Sequence, residues 1–152
     1  MTRIRQAEPQ DWSQIAVMRA LLWPDASEQE HLAELEEGQS SFGQSQFPVV
    51  TLVSEDQRGS LSGFLEVGLR SHADGCDTRR PVGFVEGWFV REEHRGKGVG
   101  RELMCAAEEW ARAHGCREMA SDALIDNPGS ERAHTALGFE IVDRCIHFRK
   151  AL

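Results

Sequence analysis

No stretch of about 18 apolar residues occurs in this 152-residue chain, so no helix is expected to span a bilayer. Its first residues, Met1-Thr2-Arg3-Ile4-Arg5-Gln6, lack the apolar core of a secretory signal, and a cytoplasmic location is expected. Cysteine is sparse and unpatterned. Cys76, Cys105, Cys116 and Cys145 form no C-x-x-C pair, so neither a disulfide framework nor a bound metal is expected. Cys105 lies in a helical pattern and Cys145 in a strand pattern, where cysteine reads as a small buried hydrophobe. Basic residues are outnumbered 17 to 25, and the net charge of −8 argues against nucleic acid or an anionic membrane as the main partner. The same balance is compatible with a cationic partner, or with solubility alone.

What is present is an ordinary globular composition, 40% hydrophobic and 28% charged, expected to form one domain over residues 1–152. Thr2–Gln6 reads as a strand. Pro9 suits the first turn of a helix carrying Trp12, Ile15, Met18 and Leu22 at spacings of three and four, and Trp23-Pro24 stops it. Ser27-Glu28-Gln29-Glu30 reads as a capping box opening a short second helix, and Gly38–Gln46 reads as a loop. Val49–Val53 and Leu61–Leu69 read as strands joined by a hairpin turn. The strand Val82–Val90 follows, with Phe84, Glu86 and Trp88 expected on one side and Val85 and Phe89 on the other. Next come a glycine loop and a helix with the stripe Val99, Leu103, Ala106/Ala107 and Trp110, ended by Gly115. A strand over Arg117–Asp122, a helix through Leu137 and a last strand over Ile141–Phe148 complete the order β-α-α-β-β-β-α-β-α-β. The fold class is α+β, or mixed α/β.

The loop Arg95-Gly96-Lys97-Gly98-Val99-Gly100 carries the chemistry. Glycine lets backbone approach a ligand, and the open N–H groups of a helix start attract phosphate oxygens. Lys97, Arg95 and Arg101 add positive charge. The spacing matches neither G-x-x-x-x-G-K-[ST] nor G-x-G-x-x-G.

Arg95-x-x-Gly98-x-Gly100 resembles the acetyl-CoA signature of the GNAT superfamily of N-acetyltransferases. The upstream Trp88-Phe89-Val90 agrees with it, as does Asn127 followed eleven residues later by Gly138-Phe139. The resemblance implies the GNAT fold, with a central, mostly antiparallel sheet flanked by helices. It also implies acetyl-CoA as cosubstrate, held by Trp88, Phe89, Val90, Arg95, Gly96, Lys97, Gly98, Val99, Gly100, Arg101 and Asn127. Leu22-Trp23-Pro24, Asp74-Gly75-Cys76-Asp77, Phe84-Val85-Glu86-Gly87, Gly115–Asp122 and His134–Phe139 are similar to the aminoglycoside 6′-N-acetyltransferases. That similarity implies a cationic aminoglycoside acceptor lined by Trp23, Glu86, Asp122 and Asp143, and a homodimer by analogy.

The acceptor residues also have ordinary readings. Glu86 and Asp143 can be solvated strand carboxylates, Asp122 a loop cap and Trp23 core. Polyamine or peptide acetylation, or a non-catalytic acetyl-CoA-binding module, are the alternatives. A neutral amine must form before attack, which assigns Asp122 as general base with Glu86 holding or relaying. Many GNAT enzymes use a tyrosine as acid seven residues after the asparagine. This chain has no tyrosine, and His134 occupies that position, as a proton donor or as a packing residue. The loop tyrosine that the relatives place before the Glu-bearing strand is missing too, with His72 and Ala73 in its neighbourhood.

Overall fold

In the computed structural model, which describes residues 2–41 and 47–152, the alternating middle of the chain becomes a five-stranded sheet. The strands are β1 (Arg3–Gln6), β2 (Val49–Glu55), β3 (Leu61–Arg70), β4 (Val82–Val90) and β5 (Met119–Ser121), in that spatial order. β1 to β4 pair antiparallel, while β5 joins β4 in parallel. Helices α1 (Trp12–Leu22), α2 (Glu28–Ser41), α3 (Val99–Ala113) and α4 (Pro128–Ala136) lie between the strands in sequence or after the last of them. The fold is mixed α/β with a mostly antiparallel sheet, as expected.

Cross-strand register sorts the core onto two faces. Val53, Phe64 and Phe89 stand opposite one another in turn and pack with Ile15, Met18 and Leu35 of α1 and α2. Their neighbours Leu52 and Leu65 turn the other way and pack with Val99, Leu103, Met104 and Ala107 of α3. Period-2 strands and a period-3.6 helix stripe thus meet in two layers on one sheet.

Local signals hold where they are self-contained. Ser27 N–H donates to the Glu30 carboxylate at 2.7 Å, and Glu30 N–H to the Ser27 hydroxyl at 3.2 Å, closing the capping box. The hairpin turn is held by Asp56, whose carboxylate accepts from the N–H groups of Arg58 and Ser60. Gly115 and Gly138 each end a helix in the left-handed region, at φ 86° and 90°. The N–H of the following residue donates five positions back, Cys116 to Ala111 and Phe139 to His134, a Schellman stop in both cases.

Four expectations are corrected. First, α2 runs on through Ser41, because no proline follows Leu35 and one glycine costs a helix only about 1 kcal/mol; residues 42–46 of the expected loop lie outside the described residues. Second, Glu66 stands opposite Gly87 and Val67 opposite Val85, so Glu86 is an extra, bulged residue. A bulge reverses the alternation beyond it. Val85 and Trp88 therefore share the α3 face while Phe89 joins the other, and Glu86 is exposed. Third, Cys105 and Cys145 are exposed, and Cys116 is the buried cysteine. Fourth, Ile141–Phe148 pairs with no strand of the described chain. Residues 137–152 carry no helix or strand, and Ile146 and Phe148 are 80% and 91% exposed.

Candidate active site

The parallel pairing of β4 with β5 builds the fork on which the candidate residues sit. Gly83, Phe84 and Val85 pair with Met119, Ala120 and Ser121, after which β5 ends while β4 continues to Val90. The next residue on each strand is a carboxylate, Glu86 and Asp122, both exposed. The bulge therefore presents Glu86 beside the point where the strands part. Beyond that point, the edge of β4 facing away from β3 has no strand partner among the described residues, which leaves outward-facing main-chain groups between Glu86 and Phe89 without a ladder.

Glu86 is not a bare charge. Arg70 Nη2 donates to both of its oxygens at 2.9 Å, and Nε adds a bond at 3.1 Å. The same guanidinium lies 3.5 Å from the Phe84 ring centroid. Trp23, the residue just past α1, comes to the same place through a glycine. A Cβ on Gly87 would stand 2.5 Å from Trp23 Cη2, so the indole rests on bare backbone next to Glu86. Trp23 also packs edge-on to Phe64 with centroids 6.3 Å apart, so it serves the core as well as the fork.

Beneath Trp23 lies a buried charge pair that motif spacing does not reveal. Arg19 Nε donates to the Glu66 carboxylate at 2.7 Å, with Nη2 on the same oxygen, and Glu34 stands 3.6 Å from Arg19. Glu66 is only 7% exposed, and burial pushes its carboxyl above the ordinary range against the pull of Arg19. The one signal in the sequence is a lone carboxylate within the apolar run of β3.

The glycine loop lies on the other side of the fork. Gly98 caps α3 with φ 89°, a left-handed conformation that glycine adopts freely, and the first helical bond runs from Glu102 N–H to Gly98 C=O. The N–H groups of Val99, Gly100 and Arg101 are accordingly open, at the positive end of a 15-residue helix. Gly100 is needed for a different reason, since a Cβ there would meet the Trp88 indole at 3.1 Å. That indole's Nε1 is buried without a hydrogen-bond partner. Open amides, a buried unsatisfied donor beside them and the charges of Arg95, Lys97 and Arg101 fit a ligand with phosphate and carbonyl oxygens. Arg95 Nε donates to Val90 C=O and Lys97 Nζ to Glu93 C=O, which folds the loop back towards β4. Phe89 points into the α1 core, so its backbone, not its ring, is available to the fork.

The start of α4 closes the site. Asn127 caps the helix, its Oδ1 accepting from Ser130 N–H at 3.1 Å, with Pro128 in the first turn. His134 stands edge-on to both Trp88 and Phe139, each at 5.2 Å between centroids. His134 Nδ1–H donates to Ser130 C=O at 2.8 Å, and the Ser121 hydroxyl donates to Nε2 at 2.8 Å. A carbonyl can only accept, so this bond fixes the tautomer and makes Ser121–His134 a proton-sharing pair at the end of β5. Sequence reasoning misses Ser121, because nothing in its neighbourhood along the chain points to His134.

The structure thus brings together Trp23, Glu86 and Asp122 at the fork, with Trp88, the glycine loop and His134 behind them. Asp143 is not among them. It lies in the exposed tail, where its carboxylate accepts from Arg144 N–H.

Residues 14–139 match the acetyltransferase (GNAT) family model. The chain is 41% identical over 150 residues to an aminoglycoside N(6′)-acetyltransferase type 1 of Stenotrophomonas maltophilia, covering 98% of this chain and 93% of that one. Among solved structures it is similar to AAC(6′)-Iy in complex with the bisubstrate analogue CoA-S-monomethyl-acetylneamine. The TM-score is 0.85 at 33% identity, over 100% of this chain and 99% of that one. It is also similar to AAC(6′)-Ih from Acinetobacter baumannii, with a TM-score of 0.85 at 30% identity, over 100% and 99% of the two chains. This chain belongs to the GNAT family of acetyltransferases.

Proposed function

We propose that this acetyltransferase moves acetyl from acetyl-CoA to the 6′-amine of aminoglycosides, and that it works in the cytoplasm, where antibiotic resistance would follow. The observation carrying the reading is that Glu86 and Asp122 each directly follow the last paired residues of β4 and β5, Val85 and Ser121, with the indole of Trp23 on the adjacent Gly87. Several ammonium groups on one acceptor are matched by carboxylates presented from two strands. The relatives named above support the acceptor class.

Bound acetyl-CoA supplies the thioester; this chain positions it and moves protons. The open N–H groups of Val99, Gly100 and Arg101 receive phosphate oxygens, and the unpaired edge of β4 receives the amide-bearing arm. A main-chain N–H near Phe89 or Val90 then faces the thioester oxygen. An aliphatic ammonium is unreactive at neutral pH, so Asp122 accepts its proton directly or through one water. Glu86, locked by Arg70, orients the acceptor rather than taking the proton.

On the departing side, neutral His134 has its one N–H committed to Ser130, so its Nε2 only accepts. Only a His134 that has taken up a second proton, at Nε2, can serve as the acid: that proton passes to Ser121 Oγ as the Ser121 hydroxyl gives its own to the departing thiolate, leaving the free thiol of CoA and a neutral His134. Asp122→Asn tests the base assignment. Turnover should fall by about 10²-fold or more while acetyl-CoA affinity holds, and wild-type turnover in that variant would remove Asp122 from the chemistry.

A further inference from the structure

His31 is a buried titratable side chain that neither the glycine loop nor the proton path uses. It lies in the first turn of α2, 4% exposed, with its ring 6.2 Å from that of Trp23 between centroids. Its two nitrogens have different fates. Nε2 stands 3.1 Å from Trp23 C=O, and since a carbonyl can only accept, Nε2 carries a proton. In the neutral ring Nδ1 is then a bare acceptor. It is buried without a hydrogen-bond partner, and the Glu34 carboxylate, 3.7 Å away, has no proton to give it. A leucine or phenylalanine would fill the same space without leaving a buried nitrogen unsatisfied. What the imidazole adds is one N–H aimed at the main chain of Trp23.

The main chain at Trp23 needs such a donor. Trp23 ends α1 with φ −126° and ψ 79°, outside helical geometry, and Pro24 after it has no N–H. Its own N–H is tied back to Arg19 C=O at 2.7 Å. Its C=O is a helix-end carbonyl with no helical partner, and besides His31 it meets only Ala26 N–H, at 3.5 Å. His31 therefore supplies the shorter of the two bonds. With N–H and C=O both tied, the direction of the Trp23 Cα–Cβ bond is fixed. That matters because Gly87, on which the indole rests beside Glu86, offers no side chain to lock it in place.

We infer that His31 is a positioning residue of the acceptor site: by donating Nε2–H to Trp23 C=O it holds the indole over Gly87 and so sets the affinity for the amine. It touches neither substrate nor cofactor. This role rests on the proposed acceptor fork, through Trp23, but not on which amine is acetylated. Loss of the bond lets the indole shift along bare backbone, which weakens acceptor binding and leaves the glycine loop and Asp122 where they are. The expected signature is a change in the acceptor KM alone, the mark of lost uniform binding.

His31→Asn and His31→Gln separate this role from simple packing, because a glutamine amide nitrogen reaches the place of Nε2 and an asparagine one only that of Nδ1. Both full-length variants are compared with wild type by steady-state kinetics, using kanamycin or whichever amine the wild type acetylates best. Wild type that acetylates other amines but no aminoglycoside refutes the proposed function, and the comparison of the His31 variants is then read on that other amine. His31→Asn should raise the amine KM about 3–10-fold, the worth of one hydrogen bond, while kcat and the acetyl-CoA KM stay within about twofold. His31→Gln should restore the amine KM to within about twofold of wild type. An equal amine KM in the two variants overturns the inference, as does a loss in His31→Asn that falls equally on kcat or on acetyl-CoA. Ring-nitrogen NMR of the wild-type chain supplies a readout that survives a variant's failure to fold. A proton on His31 Nε2 is expected, and the tautomer with its only proton on Nδ1 overturns the inference.

Discussion

Replacing Arg19 by methionine keeps a long side chain between α1 and β3 but removes the only cation hydrogen-bonded to buried Glu66 among the described residues. Breaking a buried pair from one side costs about 3–5 kcal/mol, because the remaining charge is left without compensation. For a domain of this size that is about 6–20 °C of melting temperature, a large share of a total stability of about 5–15 kcal/mol. The sign of the pH dependence follows from burial. Glu66 in the folded chain already titrates above its ordinary value, and losing Arg19 pushes it further up. A raised carboxyl leaves stability intact below the unfolded pKa of about 4.3 and removes it as pH rises through the folded value. The deficit of Arg19→Met is therefore smallest near pH 4.5 and largest at pH 8. Urea unfolding at fixed protein concentration, at several pH values, measures it. Adding Glu66→Met should restore most of the loss at neutral pH. A deficit below about 1 kcal/mol, or one that is flat with pH, would refute this account of the pair.

Three other perturbations have defined outcomes. Gly98→Ala forces a Cβ into the left-handed region and should cost about 1–2 kcal/mol, with acetyl-CoA affinity falling before aminoglycoside affinity; calorimetric titration of each ligand checks the order. Ser121→Ala should lower kcat by about 10²-fold with unchanged acetyl-CoA affinity and an altered alkaline limb of the pH–rate profile; an unaltered profile removes the Ser121–His134 pair from proton transfer. Asp11 is 3% exposed and accepts two bonds from Arg5, which hold its carboxyl below the ordinary range. Its contribution is present above the ordinary carboxylate pKa and is lost as pH falls through the lowered folded value. Asp11→Asn should thus cost about 1.5–3 kcal/mol at pH 7, and the gap from wild type should close in acid melts below about pH 4.

Features settled within a few residues are legible in the sequence itself. The Ser27–Glu30 box, the Asp56 turn, the stops at Gly115 and Gly138 and the glycine loop each carry their own geometry. Partner strands decide the rest. The bulge at Glu86 depends on how β4 meets β3, so a strict period of two places Trp88 on the wrong face. The placement of Glu86 beside Asp122 is conditional on β4 and β5 being neighbours, and their parallel register satisfies the condition. The Arg19–Glu66 pair spans 47 residues and the Ser121–His134 pair joins two elements, beyond the reach of motif spacing. Ile141–Phe148 has the composition of a strand, but a strand needs an edge to pair with, and it meets none among the described residues.

The central claim is tested most directly by thiol release from acetyl-CoA with a panel of amines including kanamycin, followed by NMR of the product. The account predicts release dependent on the aminoglycoside, acetyl on the 6′-nitrogen, and near-complete loss in Asp122→Asn. Release with polyamines or peptides but not with aminoglycosides, or acetyl at another amine, would contradict it.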